Sequence, residues 1–184
     1  MTTRTCGDCQ ACCRLLPVHK LAKKANTRCQ HQRFAKGCAI YDRRPTSCIL
    51  WQCLWRADPE CNLPRPDRCH YIVDIVPDYI EFENNRGRVK IEAIQIWTAP
   101  SHRNAHRCDR LLAYLDAQYR ESGKIGLVRL NTEEVIVLLP PLATEHDCWL
   151  ETHGANRGAE HTPAQIIKAL AQPEKQDLRS FLAK

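Results

Sequence analysis

Cysteine is the residue type through which this sequence can do chemistry. In CGDCQACC, Cys6, Cys9, Cys12 and Cys13 fall within eight residues. The first three form a C-x2-C-x2-C run, whose tight turns aim successive sulfurs at one centre. Iron–sulfur proteins use that run with a fourth cysteine further along the chain. Zinc more usually takes cysteines as C-x2-C pairs, two pairs to a tetrahedral ion. Cys13 fits neither pattern, because adjacent side chains diverge; it belongs to a second site or is a supporting thiol. Unligated cysteine packs as a small hydrophobe, but four in so short a stretch favour ligation.

Further candidate ligands follow in NTRCQHQRFAKGCAIYDRRPTSCILWQCLW. Cys29 and Cys38 flank a polar loop, and Gly37 permits a turn just before Cys38. Pro45 introduces an expected helix over 46–55, with Thr46 or Ser47 near its N-cap. Cys48 would then lie in the first turn, where the helix dipole lowers a thiol pKa. Cys48 and Cys53 are about 140° apart around an ideal helix, so they share an ion only if the helix ends between them. Trp51 and Trp55, four apart, would cover an apolar face and shield the site. His31 is a nitrogen donor in a polar loop, where a solvated histidine is the simpler reading. Cys61 and Cys69, in the proline-rich strip 57–69, are open as extra ligands.

Composition bears on what the cysteines are for. Ten of the twelve lie in residues 1–70, within a chain of 184. That segment holds thirteen Lys and Arg against five Asp and Glu, net +8, and the remainder nets −2, giving the overall +6. A basic half is one signature of nucleic-acid binding. Metal-bound cysteine is a thiolate, however, so eight ligands would cancel the +8 before any metal charge is added. We therefore expect no nucleic-acid partner. No apolar run is long enough to span a membrane, and MTTRT leads into no secretory signal. The expectation is a cytoplasmic protein, where clustered cysteines bind metal more often than they pair as disulfides.

The blocks CGDCQACC, LAKKANTRCQHQ, GCAIYDRRPTSC and WQCLW, from Cys6 to Cys53, resemble the bacterial YkgJ-like cysteine-cluster family of zinc- or iron-chelating domains. The resemblance covers under a third of the chain. It implies eight metal-linked residues: Cys6, Cys9, Cys12, Cys13, Cys29, Cys38, Cys48 and Cys53. It also implies structural roles for Tyr41, Arg44 and Pro45. One departure is the Ile49–Leu50 pair after Cys48, where the family often carries arginine and an aromatic. The family is similar to the cysteine-rich part of flagellin lysine N-methylase, which makes methyl transfer to a protein the sharp enzymatic alternative.

Elsewhere the signals for an enzyme are sparse. There is no P-loop and no G-x-G-x-x-G, and the clusters ESGKIG and HGANRG do not join a clear strand to a helix. His102, His106, Asp109, His146, Asp147 and His153 are spread over some fifty residues and read as surface groups. His102 and His106 have the i, i+4 spacing of a metal pair, with no third ligand evident. Cys108 and Cys148 are isolated.

The elements that must position the cysteines come from residues 71–145. YIVDIV and YIEFE read as strand broken at Pro77–Asp78, and NNRG turns the chain into VKIEAIQIW. A helix over about 104–122 follows, with Cys108, Leu111, Leu112, Leu115 and Tyr119 as its apolar stripe and Gly123 as its stop. IGLVRL and VIVLLP form a second hairpin. The expected fold is α+β: a metal-stabilised, irregular cysteine-rich half (1–70) packed on a small antiparallel sheet with a helix (71–145). A helical tail (146–184) follows, with helices over AQIIKALAQ and EKQDLRSFLAK. The expected function is a metal-binding cysteine-cluster protein holding a 4Fe-4S cluster, or alternatively one or two zinc ions. The competing readings are a protein-modifying enzyme and a zinc-stabilised protein- or nucleic-acid-binding module.

Overall fold

The computed structural model describes residues 4–84, 87–143 and 147–155. Alternation of apolar residues builds a sheet at its centre. β3 (Tyr71–Val73) and β4 (Asp78–Asn84) lie end to end along one side of the long strand β5 (Gly87–Thr98). The break between β3 and β4 falls where Pro77 removes a backbone donor. β6 (Ile125–Arg129), β7 (Glu134–Leu139) and β8 (Leu150–Ala155) complete the order β3-β5-β6-β7-β8. The helix before β6 is α5 (Asp109–Ser122). The fold is α+β, with one correction: the sheet is mixed. β5 and β6 pair in parallel because the connection through α5 carries the chain back along the sheet.

Side chains of successive strand residues point to opposite faces. Tyr71, Val73, Ile94, Ile96, Val128, Ile136 and Leu138 form one core with Leu111 and Leu115 of α5. Ile80, Ala93, Ile125, Leu127, Val135, Val137 and Leu139 form a second. Ile72 and Trp97, the odd members of β3 and β5, face away from α5 and meet Ala11 and Leu15. That third contact seats the cysteine-rich region on the sheet.

α5 begins at Asp109 rather than near 104, since residues 100–102 and 105–107 form two 3-10 turns and Cys108 is extended (φ −68°, ψ 128°). It ends as expected at Gly123, whose φ of +69° lets its amide donate to Tyr119 O at 2.8 Å. β8 is a second difference, because residues 150–155 were expected to lie in the helical tail. They pair instead with all of β7, from Glu134↔Ala155 to Leu139↔Leu150. The two expected tail helices and His146 lie outside the described residues.

Before the sheet, elements are short. They are α1 (Ala11–Leu15), β1 (Gln32–Arg33), β2 (Gly37–Cys38), α2 (Thr46–Leu50), α3 (Leu54–Ala57) and α4 (Pro66–Cys69). The single helix expected over 46–55 is two helices, separated at Trp51–Cys53. Neither has a side-chain N-cap hydrogen bond, and Pro45, not Thr46 or Ser47, occupies the cap of α2.

Candidate metal centre

Cys6 and Cys9 are joined by a turn in which the Cys9 amide donates to Cys6 O at 2.9 Å. Cys12 and Cys13 ride on α1, whose position is fixed by Ala11 and Leu15 packing on Ile72 and Trp97. The Cys29 amide donates to Cys13 O at 2.9 Å, bringing the polar loop back to α1. Cys38 lies on β2, and buried Gln10 holds that hairpin through Arg33 O, Gly37 O and Gln32. Pro45 is buried, and its carbonyl accepts the Cys48 amide at 2.8 Å. Arg44 stacks 3.6 Å from the Tyr41 ring centroid and donates to Tyr41 O at 2.7 Å, closing the YDRRP turn. Cys53 forms a β-bridge with Asp74, just beyond β3.

These eight cysteines all line one cavity of about 340 Å³. The other four do not. Cys61, Cys69 and Cys108 pack against the core beneath α5, and Cys148 is exposed. Cys69 Sγ is directed to Pro64 O and Tyr71 O, so the proline-rich strip brings no extra thiol to the cavity. His31 does line it. Because the helix ends between Cys48 and Cys53, both sulfurs reach the same space.

Apolar and cationic groups complete the wall. Trp51 lines the cavity and donates from Nε1 to Asp74 Oδ1 at 2.8 Å. Trp55 does not share that role; the Arg4 guanidinium lies over its ring, 5.1 Å from the centroid. Trp97 and Ile72 supply the sheet side, and Lys23, Arg44 and Arg56 are the lining cations. Sequence reasoning passed over Lys23, Asp74, Trp97 and Arg56. Only the periodicity of β5 hinted that Trp97 would be buried. Lys23 is 8% exposed, an unusual place for lysine. Its ammonium is satisfied by the carbonyls of Leu16, Lys24 and Arg14.

The thiols differ in acidity. Burial raises Cys9, and it pushes Cys53 up to about 11. Burial also raises Cys48, so the helix-dipole lowering expected there is outweighed; α2 is only five residues long and the dipole is correspondingly small. Cys13 moves the other way, to about 7, chiefly through a hydrogen bond from the Cys12 thiol, with Lys23 and Arg44 adding to it. The same bond, with burial, keeps Cys12 protonated well above its ordinary range.

The remaining candidates do not converge. His102 stacks on His70 with centroids 3.6 Å apart. His106 is fully buried, facing Arg103 O and Glu151 Oε1, so the two histidines sit in separate turns rather than on one helical face. Asp109 opens α5, His153 lies on β8 and Asp147 is exposed. Among the described residues, no three His, Cys, Asp or Glu side chains stand together in the arrangement of a metal site. The eight cysteines instead line the wall of one shared cavity. Four thiols per ion, flanked by cations that offset thiolate charge, suit zinc or an iron–sulfur cluster and not calcium or magnesium. Also among the described residues, no helix is long and apolar enough to cross a membrane. Comparison with protein-family models, with characterised proteins and with solved structures found no match.

Proposed function

We propose that this chain is a metal-binding cysteine-cluster protein whose centre holds its first fifty-odd residues together and onto the sheet. One observation carries the reading: the eight cysteines between Cys6 and Cys53 line a common cavity, and the other four do not. The chemistry of the donor set supports a soft metal, and the C-x2-C-x2-C run favours a 4Fe-4S cluster over zinc. Trp51 and Trp97 at the wall would keep water from it. The sulfur spacing and block order support a kinship with the YkgJ-like family. A reducing, cytoplasmic setting is the one in which so many free thiols persist.

The test is anaerobic purification with elemental and sulfide analysis and a visible spectrum. A brown protein with about four irons and matching sulfide for each cluster supports the iron–sulfur reading. A colourless protein with sulfur-bound zinc supports the alternative ion. Protein that retains neither metal, and takes up neither on anaerobic reconstitution, refutes the proposal. Cys9→Ser should lower metal content, whereas Cys108→Ala should leave it unchanged.

A further inference from the structure

The eight sulfurs are not equivalent in their surroundings. Cys9, Cys12 and Cys53 all pack against the Ala11–Leu15–Ile72–Trp97 cluster. Cys53 has Cys6 and Cys9 as its sulfur neighbours, and Arg56 Nη1 reaches Cys6 Sγ at 3.6 Å. None of Cys13, Cys29, Cys38 or Cys48 belongs to that packing. Cys48 has those other three as its sulfur neighbours, and Cys29 is tied to Cys13 through the backbone. The two groups meet at α1, where Cys12 and Cys13 are adjacent.

Burial separates them further. Between residues 16 and 50 only Lys23, Cys29 and Pro45 are buried, and Phe34, Tyr41, Ile49 and Leu50 are exposed. This lobe has no apolar core of its own. Cys9, Cys12 and Cys53 of the first group, by contrast, lean on a wall made by α1 and the sheet.

We infer that the eight thiols form two four-sulfur metal sites: Cys6, Cys9, Cys12 and Cys53 against the sheet, and Cys13, Cys29, Cys38 and Cys48 inside the loop-built lobe. The inference rests on the metal-binding reading above and adds a division of labour. The first site fastens α1 and Cys53 to β3. The second is the core of the lobe, so its occupancy decides whether residues 17–50 are folded, as in small domains whose metal-binding free energy is their folding free energy. Each filled site requires deprotonated thiols, and a divalent ion with four thiolates carries −2. Lys23 and Arg44 lie beside the second site and Arg56 beside the first.

The experiment titrates cobalt(II), then zinc, into the reduced, metal-free full-length chain under anaerobic conditions. Two equivalents should bind, each with the spectrum of tetrahedral four-thiolate cobalt. Cys29→Ser/Cys48→Ser should bind one equivalent, with new protease cleavage confined to 17–50 and the sheet still protected. Cys6→Ser/Cys53→Ser should also bind one. Loss of both equivalents from either variant, or uptake of only one by the unsubstituted chain, overturns the two-site division while leaving metal binding intact. Uptake of none overturns both. Because a substituted chain can fail to fold, the unsubstituted chain gives an independent reading. Additive, magnetically uncoupled spectra at one and two cobalts are expected, and a coupled pair would mean a single bridged centre.

Discussion

The seat of α1 on the sheet rests on Leu15, and truncating it should free the first thiols. Leu15 is 4% exposed, and it shares its cluster with Ile72 and Trp97. α1 is five residues long with no side-chain cap, so tertiary burial, not helix propensity, fixes it. Leu15→Ala removes about three methylene equivalents, or about 2.5 kcal/mol at ~0.8 kcal/mol each. The cavity left between Ile72 and Trp97 raises the expected loss to about 3–4 kcal/mol. Leu50→Ala removes the same atoms from a side chain that is 73% exposed, and it should cost under about 0.5 kcal/mol. Urea unfolding of the reduced, metal-free chain, followed by tryptophan fluorescence, measures both. Thiol labelling under native conditions should show Cys9 and Cys12 reacting faster in Leu15→Ala alone. A loss below about 1 kcal/mol, or equal effects of the two substitutions, would refute the claim that this contact seats α1.

Two further outcomes follow from the sheet. Glu151 is held at about 2, first by hydrogen bonds from Arg107 at 2.7 and 2.8 Å, against burial, with His106 adding a third. Its folded pKa is depressed, so its contribution is complete above about pH 4.5 and fades as pH falls through about 2. Arg107 is more than half exposed, which screens the pair to about 0.5–1 kcal/mol. Glu151→Gln should therefore lower the urea midpoint at pH 7 and have a much smaller effect at pH 2; an equal deficit at both would exclude the ion pair. Gly126→Ala would place a methyl 3.0 Å from Leu138 Cβ and 3.1 Å from Leu115 Cδ1. Since Leu138 Cβ is fixed to its strand, a loss of about 1–3 kcal/mol is expected in thermal unfolding, and an unchanged midpoint would mean that α5 sits farther from β6.

Much of the sheet was legible in local pattern. The hairpin joining β6 to β7, the break at Pro77 and the stop at Gly123 each have a short-range cause in the sequence. β8 had none, because LETHGA lacks an apolar alternation and acquires its strand only by pairing with β7. Parallel pairing of β5 with β6 is likewise a property of the crossover, invisible in either strand alone. The eight cysteines that line the cavity are the set the resemblance implies, whereas the residues alone left Cys61 and Cys69 open beside them. The wall behind the eight was not legible, since Ile72 and Trp97 read as ordinary strand residues until the chain brings α1 over them. Lys23 was the hardest to foresee. Its burial depends on three carbonyls from residues 14–24 converging, which no periodicity encodes.

The seating of α1 on Ile72 and Trp97 reverses the order in which the chain is made. Leu15 is synthesised about eighty residues ahead of Trp97, an interval of about 4–16 s at roughly 5–20 residues per second. Through that interval the thiols of Cys6, Cys9 and Cys12 have no wall behind them. Over that interval they are as open to oxidants as any thiols on an unfolded chain. Leu15 is thus made early and seated late, and the synthesis of β5 sets the moment at which α1 can find its place.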